Sequence, residues 1–280
     1  DCKKLIDVFK ENDIRYFFYI GGNDTAETAN IVDQLARGED YEFRVCHIPK
    51  TIDNDLRETD HCPGYGSAAR FVALALMGDN LDNTALKGVK IDVIMGRHAG
   101  FLTGAAALAR QNETDGPHLI YLPEVAFDEN RFADDVAGCL DRLGRCVIAV
   151  SEGITREDGS PVYTSGEKDS HGNVQLSGTG ALGDYLSGIV KEKIPAASRV
   201  RADTLGYMQR CFPSIRSEVD ASEARAAGAF AVRSMVEGEL SSGTVCIRRT
   251  ETDGHYDSEM FITELNKVAK HTKEMPAEFI

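Results

Sequence analysis

The sequence predicts an α/β fold with mainly parallel sheets covered by helices on both faces. Three observations lead there. Short apolar runs alternate with amphipathic or alanine-rich stretches, and each of those runs leaves glycine or polar residues at its C-terminal end. The chain has 280 residues, 42% of them hydrophobic, enough for the core of one large domain or two smaller ones. Strands that read as continuous apolar segments are buried on both faces, as in parallel sheets between helical layers.

The elements follow in order. Leu5, Ile6, Val8 and Phe9 mark one face of an opening helix, and residues 15–20 (RYFFYI) form a buried strand ending at Gly21-Gly22. Alanine-rich residues 25–37 are helical. Further strands are expected at 43–50 (FRVCHIPK), 90–97 (KIDVIMGR), 117–123 (PHLIYLP) and 144–153 (GRCVIAVSEG), with helices at 67–77, 100–110, 131–143 and 221–237. Residues 155–180 break the rhythm: rich in glycine, serine and charge, they are expected to be a mobile surface insertion. The chain opens without methionine on a helix that feeds a buried strand, and an earlier part of the domain is expected to be missing from it.

Composition narrows the function. There are 45 acidic against 31 basic residues, a net charge of −14, which argues against an extended nucleic-acid or anionic-membrane surface. Any anionic ligand must be held locally. The seven cysteines are odd in number, scattered and without a C-x-x-C pair, which disfavours a disulfide framework or zinc knuckle and points to a reducing, cytoplasmic setting. No apolar run approaches the roughly 18 residues needed to span a bilayer.

In open α/β sheets, ligands sit outside the carboxyl ends of the strands. That rule selects four stretches. Gly21, Gly22, Asn23, Asp24 and Thr25 (GGNDT) follow a strand and open a helix, which suits either a phosphate against the first helical N–H groups or a helix start capped by Asn23, Asp24 or Thr25. In PKTIDND, Asp53 and Asp55 could share Mg²⁺, or one could bind metal while the other takes a proton; an Asx-type turn with a solvated Lys50 is the alternative. MGRHAG puts Arg97 at a strand end, suited to a forked grip on phosphoryl oxygens or to an exposed ion pair. SEG ends another strand with Glu152, a possible acceptor for sugar hydroxyls. Later, SRVRADTLGYMQR carries Arg199, Arg201 and Arg210, either a phosphate pocket or an ion-pair network.

GGNDT, PKTIDND, TD-x-x-x-GYG, MGR-x-AG, SEG and RADTLGYMQR, in this order and spacing, resemble the phosphofructokinase family from about Arg15 to Arg210. The resemblance is closest to its diphosphate-dependent branch, on two residues. ATP-using relatives have glycine where this sequence has Asp24 and glycine again where it has Lys50. In diphosphate users the aspartate occupies the space an α-phosphate of ATP would need, and the lysine contacts the diphosphate. Two like charges at about 4 Å repel by roughly 1–4 kcal/mol between the dielectrics of water and of a protein surface, enough to discriminate against a nucleotide. Lys50 supplies compensating charge to the transferred group.

The resemblance implies further roles. Asp53 matches the acceptor of the proton from the sugar's 1-hydroxyl, with Thr51 and Ile52 beside it, and Asp55 matches a carboxylate near Mg²⁺. Met95, Gly96 and Arg97 match the substrate loop, Arg97 also stabilising the moving phosphoryl group. Glu152 matches the sugar-hydroxyl acceptor, and Arg201, Tyr207, Met208, Gln209 and Arg210 match the sugar-phosphate segment, the two arginines gripping the 6-phosphate. Asn23 departs from the family pattern, standing where a metal-binding aspartate is usual, and Tyr207 replaces the histidine of many ATP users. Seven residues before Met95, where many members carry an arginine for a neighbouring subunit, this chain has Gly88 between Lys87 and Lys90.

The resemblance implies two Rossmann-like domains, with the family's first strand and glycine-rich donor loop preceding Asp1. Residues 1–64 with 209–260 form the expected phosphoryl-donor domain, 65–208 the sugar-phosphate domain and 261–280 a C-terminal segment. The expected reaction is reversible phosphoryl transfer from diphosphate to fructose 6-phosphate, with Mg²⁺, in a homodimer or homotetramer. The alternatives are an ATP-dependent 6-phosphofructokinase and a non-catalytic regulatory subunit, the latter disfavoured by Asp53 and Lys50.

Overall fold

The computed structural model describes residues 2–39, 41–164, 180–238 and 240–280. Along the chain, helix α1 (Cys2–Glu11) leads into strand β1 (Tyr16–Gly21), α2 (Asn23–Gly38) and β2 (Arg44–Pro49). Then come α3 (Tyr65–Leu86), β3 (Gly88–Ile94), the short α4 (Phe101–Gly104), β4 (Leu119–Tyr121), α5 (Glu129–Leu143) and β5 (Arg145–Ser151). The chain continues through α6 (Ala181–Lys193), β6 (Val200–Thr204), α7 (Glu218–Val236), β7 (Ser242–Thr252), β8 (His255–Thr263) and α8 (Leu265–Val268).

The chain divides into two units. The first comprises residues 1–66 and 217–273, and the second 67–216 and 274–280. These limits differ from the expected ones: the return falls at 217 rather than 209, and residues 261–280 are shared between the units instead of forming a separate segment. Most of the expected insertion, residues 165–179 of 155–180, lies outside the described residues.

In the first unit the sheet order is β1-β2-β7-β8, with β1, β2 and β7 parallel and β8 antiparallel to β7. One core joins Ile6 and Phe9 of α1 to Ala29 and Val32 of α2 and Val45 of β2. Another joins Cys46, Ile48 and Val245 of the sheet to Ala227, Ala231 and Met235 of α7. In the second unit all four strands are parallel in the order β4-β5-β3-β6. Every residue of β5 is buried, as a parallel strand between two layers requires. Ile91, Phe132, Ile148 and Leu186 are fully buried there, each worth about 1.5–3 kcal/mol relative to exposure.

Three parts of the fold escaped the sequence pattern. Helix α3 runs to Leu86, nine residues beyond the expected 77, because its last turns bury Asn80 and Asn83 where periodicity looks for apolar side chains. Asn80 Nδ2 donates to Asp115 Oδ1 at 3.0 Å, while its Oδ1 accepts from Gly116 N and Arg145 Nη1, both at 2.8 Å. Residues 100–110 are one α-turn followed by a 3₁₀ segment at Ala105–Ala109 rather than a continuous helix. The β7–β8 hairpin, α6 and β6 were not anticipated. The hairpin had a signal: Asp253 and Gly254 both take positive φ, 53° and 76°, the geometry a two-residue Asp-Gly loop provides.

Candidate active site

In the first unit the ends of β1 and β2 lie side by side. Gly21 is in register with Pro49, and Lys50 N donates to Gly21 O at 3.0 Å. GGNDT and PKTIDND are therefore neighbouring loops. A Cβ on Gly21 would stand 2.1 Å from Thr25 Oγ1, so only glycine lets α2 start so tightly against β1. The N-cap of α2 is Gly22, and it makes no side-chain cap bond; Asn23, Asp24 and Thr25 belong to the first turn. The expected alternative of a side-chain cap is thus not realised, and the helix presents its first N–H groups uncapped, the arrangement that favours an anion. Asp24 and Lys50 are exposed.

The second loop is built on short-range ties. Asp53 N donates to Thr51 Oγ1 at 3.1 Å. Asn54 takes φ of 55° and braces the turn, its Oδ1 accepting from Cys62 N at 2.8 Å and its Nδ2 donating to Asp60 O at 3.1 Å. Thr51 bridges Gly64 in parallel fashion, with Ile52 beside that glycine. Asn23 Nδ2 donates to Asp55 Oδ2 at 2.6 Å, bringing together the two residues expected at a metal. Asn23 Oδ1 is buried without a hydrogen-bond partner, and Asp55 is itself buried. An orphaned amide oxygen beside a carboxylate is a hard oxygen donor set and fits Mg²⁺.

Two residues that sequence reasoning missed support this end. His47 is fully buried with Nε2 2.9 Å from Gly21 O; burial lowers its pKa to about 4, so it is neutral there. Lys273 N donates to Asp55 O and its Nζ to Thr59 O, both at 2.7 Å. Burial lowers the Lys273 pKa, opposed by Cys62, Asp60 and Asp55. Its place in sequence, more than 200 residues beyond the loop, left no signal.

In the second unit, Met95, Gly96 and Arg97 follow β3, and Glu152 follows β5. Ile94 pairs with Ser151, and Glu152 N donates to Ile94 O at 2.8 Å. Gly96 has φ of 138° with Ala99 O 2.6 Å from where a Cβ would be, and Ser151 Oγ donates to Gly96 O at 2.5 Å. A Cβ on Gly153 would stand 1.9 Å from Arg97 O. The two loops are thus in backbone contact. Residues Gly206–Arg210 form a 3₁₀ turn after β6, with Leu205 N donating to Val93 O at 3.0 Å. Tyr207, Met208 and Arg210 are exposed on it, and the Arg210 guanidinium lies 4.6 Å from the Tyr207 ring centroid.

Two expected site residues are set apart from the others. Gln209 is buried and spends both ends of its amide within the protein: Oε1 accepts from Met95 N at 3.3 Å and Nε2 donates to Gly206 O at 2.8 Å. It ties the two loops together. Arg201 does not join the others either. It pairs in register with Lys90, five residues before Met95, so it lies roughly 16 Å from that strand end at about 3.3 Å per residue. There, with Lys90, Arg199 and Asp203, it lines a separate cavity of about 200 Å³. Gly88 tolerates no side chain, because Arg199 O would be 2.5 Å from its Cβ and its φ is 109°. The Lys90 ammonium is held by Asp203 and stands 3.4 Å from Asp79, so it is engaged within its own chain.

Comparison with known proteins identifies the family. The family model described as phosphofructokinase matches residues 1–235. The pyrophosphate–fructose 6-phosphate 1-phosphotransferase of Rhodospirillum rubrum is 53% identical over all of this chain and 69% of its own length. The enzyme of that name from Xanthomonas campestris is 38% identical over 99% of the chain and 66% of its length. The crystal structure of a pyrophosphate-dependent phosphofructokinase from Marinobacter aquaeolei, 33% identical, superposes with a TM-score of 0.84, covering 100% of this chain and 66% of that one. The chain belongs to the phosphofructokinase family, within its diphosphate-dependent branch. It spans about two thirds of the length of these relatives.

Proposed function

We propose that this protein reversibly transfers a phosphoryl group from diphosphate to the 1-hydroxyl of fructose 6-phosphate. The observation that carries the reading is the pairing of two neighbouring loops: an uncapped helix start bearing Asp24 lies beside the strand end that presents Lys50. The α2 N–H groups and Lys50 hold diphosphate, while Asp24 fills the room a longer nucleotide chain needs and repels its charge. Asp53 accepts the proton as the sugar oxygen attacks phosphorus and phosphate leaves. Asn23 and Asp55 would hold Mg²⁺, which supplies charge neutralisation on the phosphoryl oxygens.

The second unit supplies the sugar-phosphate contacts. Arg97 neutralises phosphoryl charge and Glu152 accepts from sugar hydroxyls, while Tyr207, Met208 and Arg210 serve the 6-phosphate end. Met95 and Gly96 shape the loop, and Gln209 positions it. Arg201, at the far end of β6, supports a homodimer or homotetramer in which it serves the sugar phosphate of another subunit. The reading places the protein in the cytoplasm, and no described helix is long and apolar enough to cross a membrane.

The test is a steady-state assay of the full-length protein with each donor. Diphosphate is expected to support turnover and ATP to support little; Asp24→Gly combined with Lys50→Gly should lower the diphosphate rate while raising the ATP rate. Good use of ATP by the wild type, with diphosphate ignored, would overturn the choice of donor.

A further inference from the structure

The turn that carries Asp53 is connected by one chain of contacts to a partly buried histidine, His61. Thr51 bridges Gly64, whose N–H donates to Asp220 Oδ1 at 3.0 Å. The same carboxylate oxygen meets His61 Nε2 at 2.8 Å, and His61 Nδ1 makes a short contact with Glu223 Oε2. Both ring nitrogens therefore face carboxylates. A neutral imidazole has one N–H and one lone pair, so only the cation donates on both sides. The His61 side chain is 13% exposed, and those of Asp220 and Glu223 are 5% and 7% exposed. Two carboxylates at this depth are costly without a cation between them.

We infer that His61, as an imidazolium clamped between Asp220 and Glu223 of α7, is a positioning residue for the Thr51–Asp53 turn during phosphoryl transfer. This rests on the reading of Asp53 as the proton acceptor. Loss of the His61 proton leaves one carboxylate facing a lone pair. A change in how Asp220 sits then acts on its bond from the Gly64 N–H, and through the bridge of Gly64 to Thr51 on the turn. Asp53 lies two residues along from Thr51, so its carboxylate is displaced from the sugar hydroxyl whose proton it accepts.

The groups around the clamp agree with a cation. From β8, Tyr256 Oη donates to Glu223 Oε1 at 2.6 Å, and the Arg249 guanidinium of β7 lies 5.9 Å from the Tyr256 ring centroid. Tyr65 stands edge-on, its ring centroid 6.5 Å from that of His61. On the loop, Asp60 Oδ2 accepts from Arg249 N at 2.9 Å, and the Lys273 ammonium is bound to Thr59 O. Burial acts to lower the His61 pKa, but the bonds and charges of Asp220 and Glu223 outweigh it and raise it to about 9.

The experiment measures kcat and KM for fructose 6-phosphate, with diphosphate, from about pH 6 to about pH 10 on the full-length protein. It is paired with ¹⁵N NMR titration of the His61 ring. Wild-type kcat is expected to fall with an apparent pKa near 9, matching the ring titration. His61→Gln should lower kcat about ten-fold near neutrality, leave KM within about two-fold and lack the high-pH fall. Undiminished kcat in His61→Gln, or a ring that titrates near its ordinary value, would overturn the inference. Should His61→Gln not fold, Glu223→Gln must shift the high-pH fall downward; an unmoved fall counts against the clamp. A wild type inactive with diphosphate, yet with a ring titrating near 9, would instead sink the functional reading.

Discussion

The two units present polar residues at strand ends by different means. In the second, the loops after β3 and β5 are in close backbone approach, Gly153 having no room for a Cβ beside Arg97 O, and the Ser151 hydroxyl and the Gln209 amide tie the loops further. In the first, PKTIDND is held by hydrogen bonds: its own Asn54 side chain accepts from Cys62 N, the distant Lys273 N donates to Asp55 O, and Asp220 holds Gly64, the bridge partner of Thr51. Close packing tolerates no added atom, whereas a hydrogen-bonded turn responds to protonation. The same contrast separates which substitutions remove the fold from those that remove the chemistry.

The largest effect is expected at Asp53. Asp53→Ser should lower kcat by about 10²–10⁴ with fructose 6-phosphate binding retained, since general acid–base groups contribute on that scale; isothermal titration alongside the assay separates the two, and undiminished turnover would remove Asp53 from its role. Next is Gly153→Ala, whose Cβ meets Arg97 O at 1.9 Å. Overpacking against backbone is expected to cost about 3 kcal/mol or more in urea unfolding and to impair the Arg97 loop. A variant of wild-type stability would show that the two loops are not locked as described.

Asn80→Ala tests the polar support of the second unit. It removes an amide that binds Asp115, Gly116 and Arg145 and leaves the buried Arg145 guanidinium short of a partner, so a loss of about 2–3 kcal/mol is expected. The smallest effect is the pH dependence in the first unit. Because the folded His61 pKa is raised from 6.5 to about 9, its contribution to stability is fully present below about pH 6.5 and lost as pH rises through about 9. The urea midpoint of the wild type should fall across that window more steeply than that of His61→Gln; parallel slopes would mean the histidine gains nothing from its two carboxylates.

Much of this was legible in the residues. Continuous apolar runs predicted the position of β1 to β5 within a residue or two at most ends, and the polar residues after them located both loop sets, but β1, expected to be buried, leaves Tyr16, Tyr19 and Ile20 exposed. The inward bonds of the Gln209 amide were not legible, because a motif position says nothing about which way an amide points. Arg201 and Arg210 share one motif of the resemblance, yet β6 sets Arg201 in register with Lys90, away from the 3₁₀ turn that carries Arg210. The polar end of α3 was missed because buried asparagines that satisfy each other's neighbours carry no hydrophobic period.

Local sequence by itself determined the α/β alternation, the glycine turns at strand ends and the charge pair Asp24 and Lys50, because these depend on periodicity, backbone freedom and residue type. Only the tertiary structure decided that Asn23 meets Asp55, that Gln209 faces inward and that His61 lies between Asp220 and Glu223. Those contacts join residues far apart in the chain, and their geometry follows from strand register and helix packing rather than from any nearby sequence.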